Sequence, residues 1–167
     1  MNEKRNKFIV NLTASLEGNS LLLYQFVEKH GQVLYDKLKE KFPDKTIYFI
    51  HGGVDAEERE EVRRIVESES NAIIVASYGT FSTGINIRNL HNVVFSSPTK
   101  SRIRTLQSIG RGLRTSESKD AMTLYDIADD MRVGNHMNST LRHFVERVKI
   151  YTNEKFPFKI YKIGLKK

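Results

Sequence analysis

The sequence of 167 residues contains no cysteine, which excludes disulfide bonds and thiolate metal sites. Tryptophan is also absent, proline occurs only three times, and no apolar run approaches the roughly 18 residues that a membrane-spanning helix needs. The first seven residues are polar and do not resemble a secretory signal. We therefore expect a soluble, cytoplasmic protein without a membrane partner.

Several catalytic and metal-binding patterns are missing as well. The five histidines have no HxxxH or similar ligand spacing, so we expect no metal site. No G-x-S-x-G nucleophile elbow occurs. No glycine is followed by lysine, so the phosphate-binding loop GxxxxGK[ST] is absent too. Without that loop, the β- and γ-phosphates of a nucleotide lack their cradle and Mg²⁺ lacks a hydroxyl ligand.

What the sequence does have is an excess of positive charge. The 27 Lys and Arg outnumber the 20 Asp and Glu, which gives a formal net charge of +7 and a pI near 9.6. Such a balance favours a polyanionic partner, and nucleic acid is the first candidate. No repeat, low-complexity tract or linker divides the chain, so we expect one domain over residues 1–167.

Short apolar, β-branched runs alternate with longer periodic segments, and this order is typical of a parallel sheet covered by helices on both faces. The sequence predicts an α/β three-layer sandwich with a mostly parallel central sheet. Predicted helices cover residues 4–16, 30–42, 56–68, 101–114 and 138–151. Predicted strands cover residues 20–27, 46–50, 71–77, 92–96, 122–127 and, as an edge strand, 158–163.

Two local predictions refine this outline. Asp55 is a suitable N-cap for the charged helix that follows it. The last predicted helix belongs to an extension over residues 135–167 and has an apolar stripe, which is either core or a surface where another domain docks. The stripe consists of Leu141, Phe144, Val145 and Val148.

The segment at residues 107–114, QSIGRGLR, combines arginine with glycine. Gln107, Arg111 and Arg114 are four and three residues apart and so share one helical face. Arginine stays charged and its planar fork can hold two phosphate oxygens. Glycine at 110 and 112 lowers helix propensity, which indicates close approach of another group to the backbone. The alternative is an ordinary amphipathic helix with solvated arginines.

Ligands of open parallel sheets bind at the carboxyl ends of the strands. The candidate ligand-binding loops are therefore those at 25–31, 51–55, 78–86 and 96–100. These loops resemble, in order, the motifs of the second RecA-like domain of superfamily 2 helicases. Residues 20–31 resemble motif IV, 50–53 the segment after it, 73–98 motif V, and 107–114 motif VI. The core motifs thus span residues 20–114. The sequences of these motifs are most similar to the branch that includes phage recombination helicases and type I restriction and XPB-like translocases.

This resemblance implies an ATP-dependent DNA helicase that unwinds branched DNA and RNA–DNA hybrids, migrates junctions and regresses forks in recombination, repair and replication. Its partners would be single-stranded and branched DNA and an N-terminal RecA-like domain, which would hold most of the ATP and Mg²⁺. The chain itself would be monomeric and, alone, inactive in ATP hydrolysis.

The resemblance also implies roles for residues that match the family motifs. Arg111 and Arg114 would be catalytic arginine fingers, and Gln107 would couple the nucleotide and DNA sites. Ser108 departs from the arginine that many relatives carry there, so it receives no role. The implied nucleotide-binding residues are Gly84, Asn86 and Gly110.

The implied nucleic-acid-binding residues are Gln25, His30, His51, Gly52, Ser77, Gly79, Thr80, Lys100 and Arg102. Phe26 can either touch DNA or belong to the core. Asp129 and Asp130 superficially resemble a Walker B strand end, but they follow motif VI and are interpreted as a turn.

Two other classes of function stay open at this stage. One is a stand-alone nucleic-acid-binding or annealing module that has lost the motor. The other is a structural or partner-docking domain, which would not retain DNA even at low salt.

Overall fold

The computed structural model describes residues 2–82, 87, 89–96 and 122–165. Its helices are α1 (Glu3–Ser15), a π-helical turn (Val27–Gly31), α2 (Gln32–Lys41), α3 (Ala56–Ser68), α4 (Tyr78–Ser82) and α5 (Ser139–Asn153). Its strands are β1 (Ser20–Tyr24), β2 (Ile47–Ile50), β3 (Ile73–Ser77), β4 (Asn92–Phe95) and β5 (Thr123–Asp126). The helix predicted at 101–114 lies outside the described residues.

All five strands run parallel, in the order β2-β3-β1-β4-β5. The predicted α/β sandwich with a parallel central sheet is therefore confirmed. Because the strands are parallel, all their carboxyl ends lie at one edge of the sheet, which is the edge where the candidate loops begin.

Period-2 alternation sends neighbouring strand residues to opposite faces of the sheet. Leu21 and Leu23 of β1 pack in one apolar cluster, together with Val66 of α3. Leu22 and Tyr24 pack in a second cluster, with residues of α1 and α2. Both faces of the sheet are covered, which explains why β1, β3 and β4 are buried throughout.

The local prediction for α3 is confirmed, since the helix starts at Ala56 and Asp55 Oδ1 accepts a hydrogen bond from the Glu58 amide at 2.8 Å. The first predicted strand was too long. It ends at Tyr24, because the chain turns into the π-helical segment, and α2 consequently starts at Gln32 rather than at residue 30.

The edge strand predicted at 158–163 is wrong. Residues 157–165 have no regular secondary structure and are exposed. An alternating pattern shows that a segment can adopt a strand, but it does not determine whether the segment pairs with one, and none of the described strands pairs with this segment.

The apolar stripe of α5 is only partly buried, since Leu141, Phe144 and Val148 are half-buried. Val145 is 39% exposed, and the buried residues of this helix are Arg147 and Tyr151. The helix therefore attaches to the sheet through Tyr151, which packs in the first apolar cluster, and through the salt bridge of Arg147 to Asp126.

Candidate nucleotide and nucleic-acid interface

Seven of the predicted site residues fall in the described part of the chain, and all seven lie at or just beyond the carboxyl ends of strands. They are Gln25, His30, His51, Gly52, Ser77, Gly79 and Thr80. The other predicted site residues lie outside the described residues: Arg111, Arg114, Gln107, Gly84, Asn86, Gly110, Lys100 and Arg102.

Strand register brings three of the loops together. Tyr24, the last residue of β1, is opposite Ser77, the last residue of β3. Ile50, the last residue of β2, is opposite Ala76 of β3. Neighbouring strands lie about 4.8 Å apart. The segments that begin at Gln25, His51 and Tyr78 therefore start side by side along one edge of the sheet.

At the end of β3, two hydroxyl side chains bond to each other. Ser77 Oγ lies 2.6 Å from Thr80 Oγ1 and accepts a hydrogen bond from the Thr80 amide at 3.1 Å. Both side chains are buried, whereas Gly79 between them is exposed and has open space where a Cβ would lie. An approaching phosphate would meet the Gly79 backbone first.

At the end of β1, the chain turns abruptly and exposes an aromatic ring. The amides of His30 and Gly31 both donate to the Phe26 carbonyl, at 3.1 and 2.9 Å. The Phe26 side chain is 61% exposed and Gln25 is exposed beside it. The alternative that placed Phe26 in the core is wrong, because β1 ends two residues earlier than this alternative requires.

His30 lies in the same turn and is half-buried. Burial, together with the nearby charge of Arg5, lowers the pKa of His30 to about 4. The imidazole is therefore neutral at neutral pH. Any contact that it makes with a phosphate would be a hydrogen bond and not an ion pair.

At the end of β2, His51 has a fixed orientation. Its Nδ1 accepts a hydrogen bond from the Gly53 amide at 3.1 Å, and its ring lies 5.1 Å from the Phe49 ring. In the neutral imidazole the proton is consequently on Nε2, which can donate to a ligand. Gly52 is exposed with open space above it, so of the two glycines here its backbone is the better placed to meet a phosphate.

The sequence patterns missed the polar contacts at the end of β5. Asp126 accepts hydrogen bonds from Arg147 at 2.5 and 2.7 Å and from the Tyr151 hydroxyl at 2.6 Å. Asp129 accepts one from Arg5 Nε at 2.8 Å. These carboxylates join α5 and α1 to the sheet, and the only signal in the sequence was Arg147 and Tyr151 four residues apart on one helix. Nearby, Asp130 pairs with Arg132.

The described ranges contain neither a metal cluster nor a membrane-spanning helix. No group of three or more His, Asp or Glu that could hold a metal ion occurs among them. No described helix is long and apolar enough to cross a membrane.

A protein-family model matches most of the chain. The family described as "Helicase conserved C-terminal domain" matches residues 3–116. The chain is 37% identical over 175 residues to the ATP-dependent DNA helicase uvsW of Enterobacteria phage T4, covering 97% of this chain and 34% of that protein. It is 25% identical over 150 residues to transcript termination protein A18 of Yaba-like disease virus, covering 89% and 30%. The chain thus spans about a third of the length of these curated relatives.

Solved structures agree with this match. The crystal structure of T4 UvsW superposes with a TM-score of 0.79 at 35% identity, over 97% of this chain and 35% of that one. The C-terminal domain of the DEAD-box protein Dbp5 superposes with a TM-score of 0.68 at 16% identity, over 91% and 81%, which shows a shared fold. The chain therefore belongs to the family of helicase conserved C-terminal domains and has their RecA-like architecture.

Proposed function

We propose that this chain is the C-terminal motor half of an ATP-dependent DNA helicase or translocase that acts on branched DNA in recombination, repair and replication. The observation that carries the proposal is the side-by-side position of the loops after β1, β2 and β3 at one edge of the sheet. The family resemblance implies a DNA track in these loops, and the similarity to a phage DNA helicase supports the same assignment.

On the DNA side, the exposed groups of this edge suit a strand that moves past the protein. Gly52 and Gly79 are open above their backbones, so sugar and phosphate groups can come close. Gln25 offers hydrogen bonds and Phe26 offers an exposed ring to a base. Such contacts do not depend on base sequence, as a translocating enzyme requires. We propose that Lys100 and Arg102 extend this track.

On the nucleotide side, we propose that Arg111 and Arg114 are arginine fingers and that Gln107 couples ATP to DNA. Gly84, Asn86 and Gly110 would approach the nucleotide sugar and phosphates, while an N-terminal RecA-like domain would hold most of the ATP and its Mg²⁺. An arginine finger places positive charge where the γ-phosphate becomes more negative during transfer, and it accelerates hydrolysis by about 10³ to 10⁵.

The test is ATP hydrolysis by the intact protein that contains this domain, with and without forked DNA. We expect Arg111→Ala and Arg114→Ala each to lower the DNA-stimulated rate about 10³-fold or more. Arg64→Ala is the matched control, since Arg64 is an exposed arginine of α3 that pairs with Glu61, and it should leave the rate unchanged.

Two results would contradict the proposal. Full activity in either variant would remove that arginine from catalysis. DNA binding or strand annealing without any DNA-stimulated ATP hydrolysis in the intact protein would instead identify a binding or annealing module.

A further inference from the structure

The positive charge of the chain is concentrated at one end. Residues 131–167 contain nine Lys and Arg against two Glu, whereas residues 1–130 contain eighteen basic and eighteen acidic residues. The whole net charge of +7 therefore belongs to the last 37 residues, which lie beyond the range matched by the helicase family. The net charge of the chain thus comes from a segment outside the range that the family model matches.

Within this segment, residues 155–165, which we call the basic tail, combine lysine with exposed apolar and aromatic side chains. Its lysines at 155, 159 and 162 are all exposed. Tyr161 is 75% exposed and Ile160 and Ile163 are 58% exposed, although side chains of this kind are usually buried. A tail that served only to keep the chain in solution would not need these rings and aliphatic groups.

The tail is anchored beside the candidate interface. Phe158 lies 6.3 Å from the ring of Tyr151, and Tyr151 in turn bonds to Asp126 at the carboxyl end of β5. Lys162 is close enough to Asp130 to help lower the pKa of that carboxyl, after the larger effect of Arg132. The tail therefore starts at the same edge of the sheet as the loops of the proposed DNA track.

We propose that the basic tail is a second binding surface for single-stranded nucleic acid, in which Lys155, Lys159 and Lys162 contact phosphates and Tyr161 stacks on a base. Lysines interleaved with aromatic rings suit a single strand, in which phosphates alternate with bases. The apolar side chains alone would also suit a protein partner, but the concentrated charge favours a polyanion. The choice of nucleic acid as the ligand rests on the proposed function.

The first experiment compares two triple variants of the full chain that have the same net charge. Lys155, Lys159 and Lys162 are changed to Gln in one, and Lys39 and Lys41 of α2 with Lys45 before β2 in the other. Binding of labelled dT20 and rU20 is measured by anisotropy over a range of salt concentrations. We expect the tail variant to bind at least tenfold more weakly. The slope of log K against log salt concentration should become shallower by about 0.7 for each lysine removed. The control should change less than twofold, and equal losses in both variants would overturn the proposal.

The second experiment uses the absence of tryptophan in the chain. Tyr161→Trp introduces a single fluorophore in the tail, and Ser70→Trp introduces one at the exposed, opposite edge of the sheet. Stacking on a base should quench the indole fluorescence of the tail variant on addition of dT20. The midpoint of this quenching titration should equal the midpoint of the anisotropy titration. The fluorescence of the Ser70→Trp variant should stay unchanged.

Removal of the ring tests the same contact without a fluorophore. Tyr161→Ala should weaken binding of dT20 at least fivefold. Equal quenching in the two tryptophan variants, or no quenching in the tail variant, would contradict base stacking.

A third measurement separates nucleic acid from an acidic protein. Poly-L-glutamate of matched charge should compete poorly with dT20 for the tail, because it offers no bases. Equal competition would assign the tail to an acidic polypeptide and overturn the proposal.

If wild-type chain binds dT20 and all tail variants bind equally well, the tail proposal fails while the proposed function stands. If wild-type chain does not bind dT20 even at low salt, the DNA track of the proposed function fails too.

Discussion

Gly31 and Tyr24 occupy the same small space beneath the turn that follows β1. A Cβ on Gly31 would lie 2.4 Å from the Tyr24 ring, and that ring is fully buried. Only glycine therefore lets the turn close over the strand and leave Gln25 and Phe26 exposed. The sequence showed a glycine at this position, but it could not show which ring the glycine contacts.

We expect Gly31→Ala to destabilise the chain by about 1–3 kcal/mol, because the buried Tyr24 ring must shift to admit a methyl group. Urea unfolding would measure the change. Gly52→Ala is the matched control, since nothing lies within 4 Å of its added Cβ. Similar losses in both variants would show that the Tyr24 contact is not the cause.

His30 gives the stability of the chain a pH dependence. Its pKa is about 4 in the folded chain and near 6.5 when unfolded. Between these values the unfolded chain binds a proton that the folded chain does not. The free energy of unfolding should therefore fall as the pH drops from about 6.5 to 4, by less than about 1.4 kcal/mol per pH unit. Above about pH 6.5 His30 is neutral in both states, so it no longer lowers the free energy of unfolding.

Urea unfolding of wild type and His30→Gln at pH 7, 6 and 5 would measure this effect. The slope should be smaller in the variant. Glu3 and Asp130, whose pKa values are lowered by Lys37 and Arg132 respectively, act at lower pH and so do not confuse the comparison. Identical pH profiles in the two proteins would exclude His30 as the source.

At the scale of elements, the buried residues of α5 differ from those that its apolar pattern predicts. The sequence predicted the helix itself, but its apolar stripe did not identify the two buried residues, Arg147 and Tyr151. Arg147 is buried instead because it meets Asp126, a residue 21 positions earlier at the end of β5. Periodicity weighs only apolar side chains, so it cannot identify a helix face that is held by a salt bridge.

We expect Arg147→Met to destabilise the chain by about 3–5 kcal/mol, because it leaves the Asp126 carboxylate buried without its partner cation. The double variant Asp126→Leu/Arg147→Met should recover much of this loss, since no buried charge remains. Urea unfolding would measure both variants.

The control for this pair is Arg132→Met, which breaks an exposed ion pair with Asp130 and should have no measurable effect. If Arg147→Met were equally neutral, the buried pair would not hold α5 to the sheet.

At the scale of the whole molecule, the two ends of the strands differ. The carboxyl ends of all five strands lie at one edge of the sheet, and so does the start of the basic tail. The opposite edge is instead closed by polar side chains. Asn19 donates to the carbonyls of Val66, Glu69 and Asn89 and accepts from the Ala72 amide. Hydrogen bonds thus join the segments at the amino-terminal edge, whereas Gly52 and Gly79 have open space above them at the carboxyl-terminal edge.

We expect the chain of 167 residues to show no ATP hydrolysis above background on its own, with or without DNA. The sequence has no phosphate-binding loop, so nothing holds the β- and γ-phosphates in position for an arginine finger. Phosphate release would measure the rate, with the intact protein as the positive control. Hydrolysis that Arg111→Ala abolishes would show that the chain holds a nucleotide by itself.

The sequence by itself determined the order of the five strands, the apolar character of both sheet faces and the Asp55 cap, because each depends on residues that are near one another along the chain. It did not predict the π-helical turn or α4, and it added a strand at 158–163 that the structure does not have. The family motifs likewise occur in contiguous segments. Only the tertiary structure decided which strand ends are neighbours, that Phe26 is exposed, and that Arg147 is buried against Asp126. These features depend on contacts between residues far apart in sequence, and no local pattern encodes such contacts.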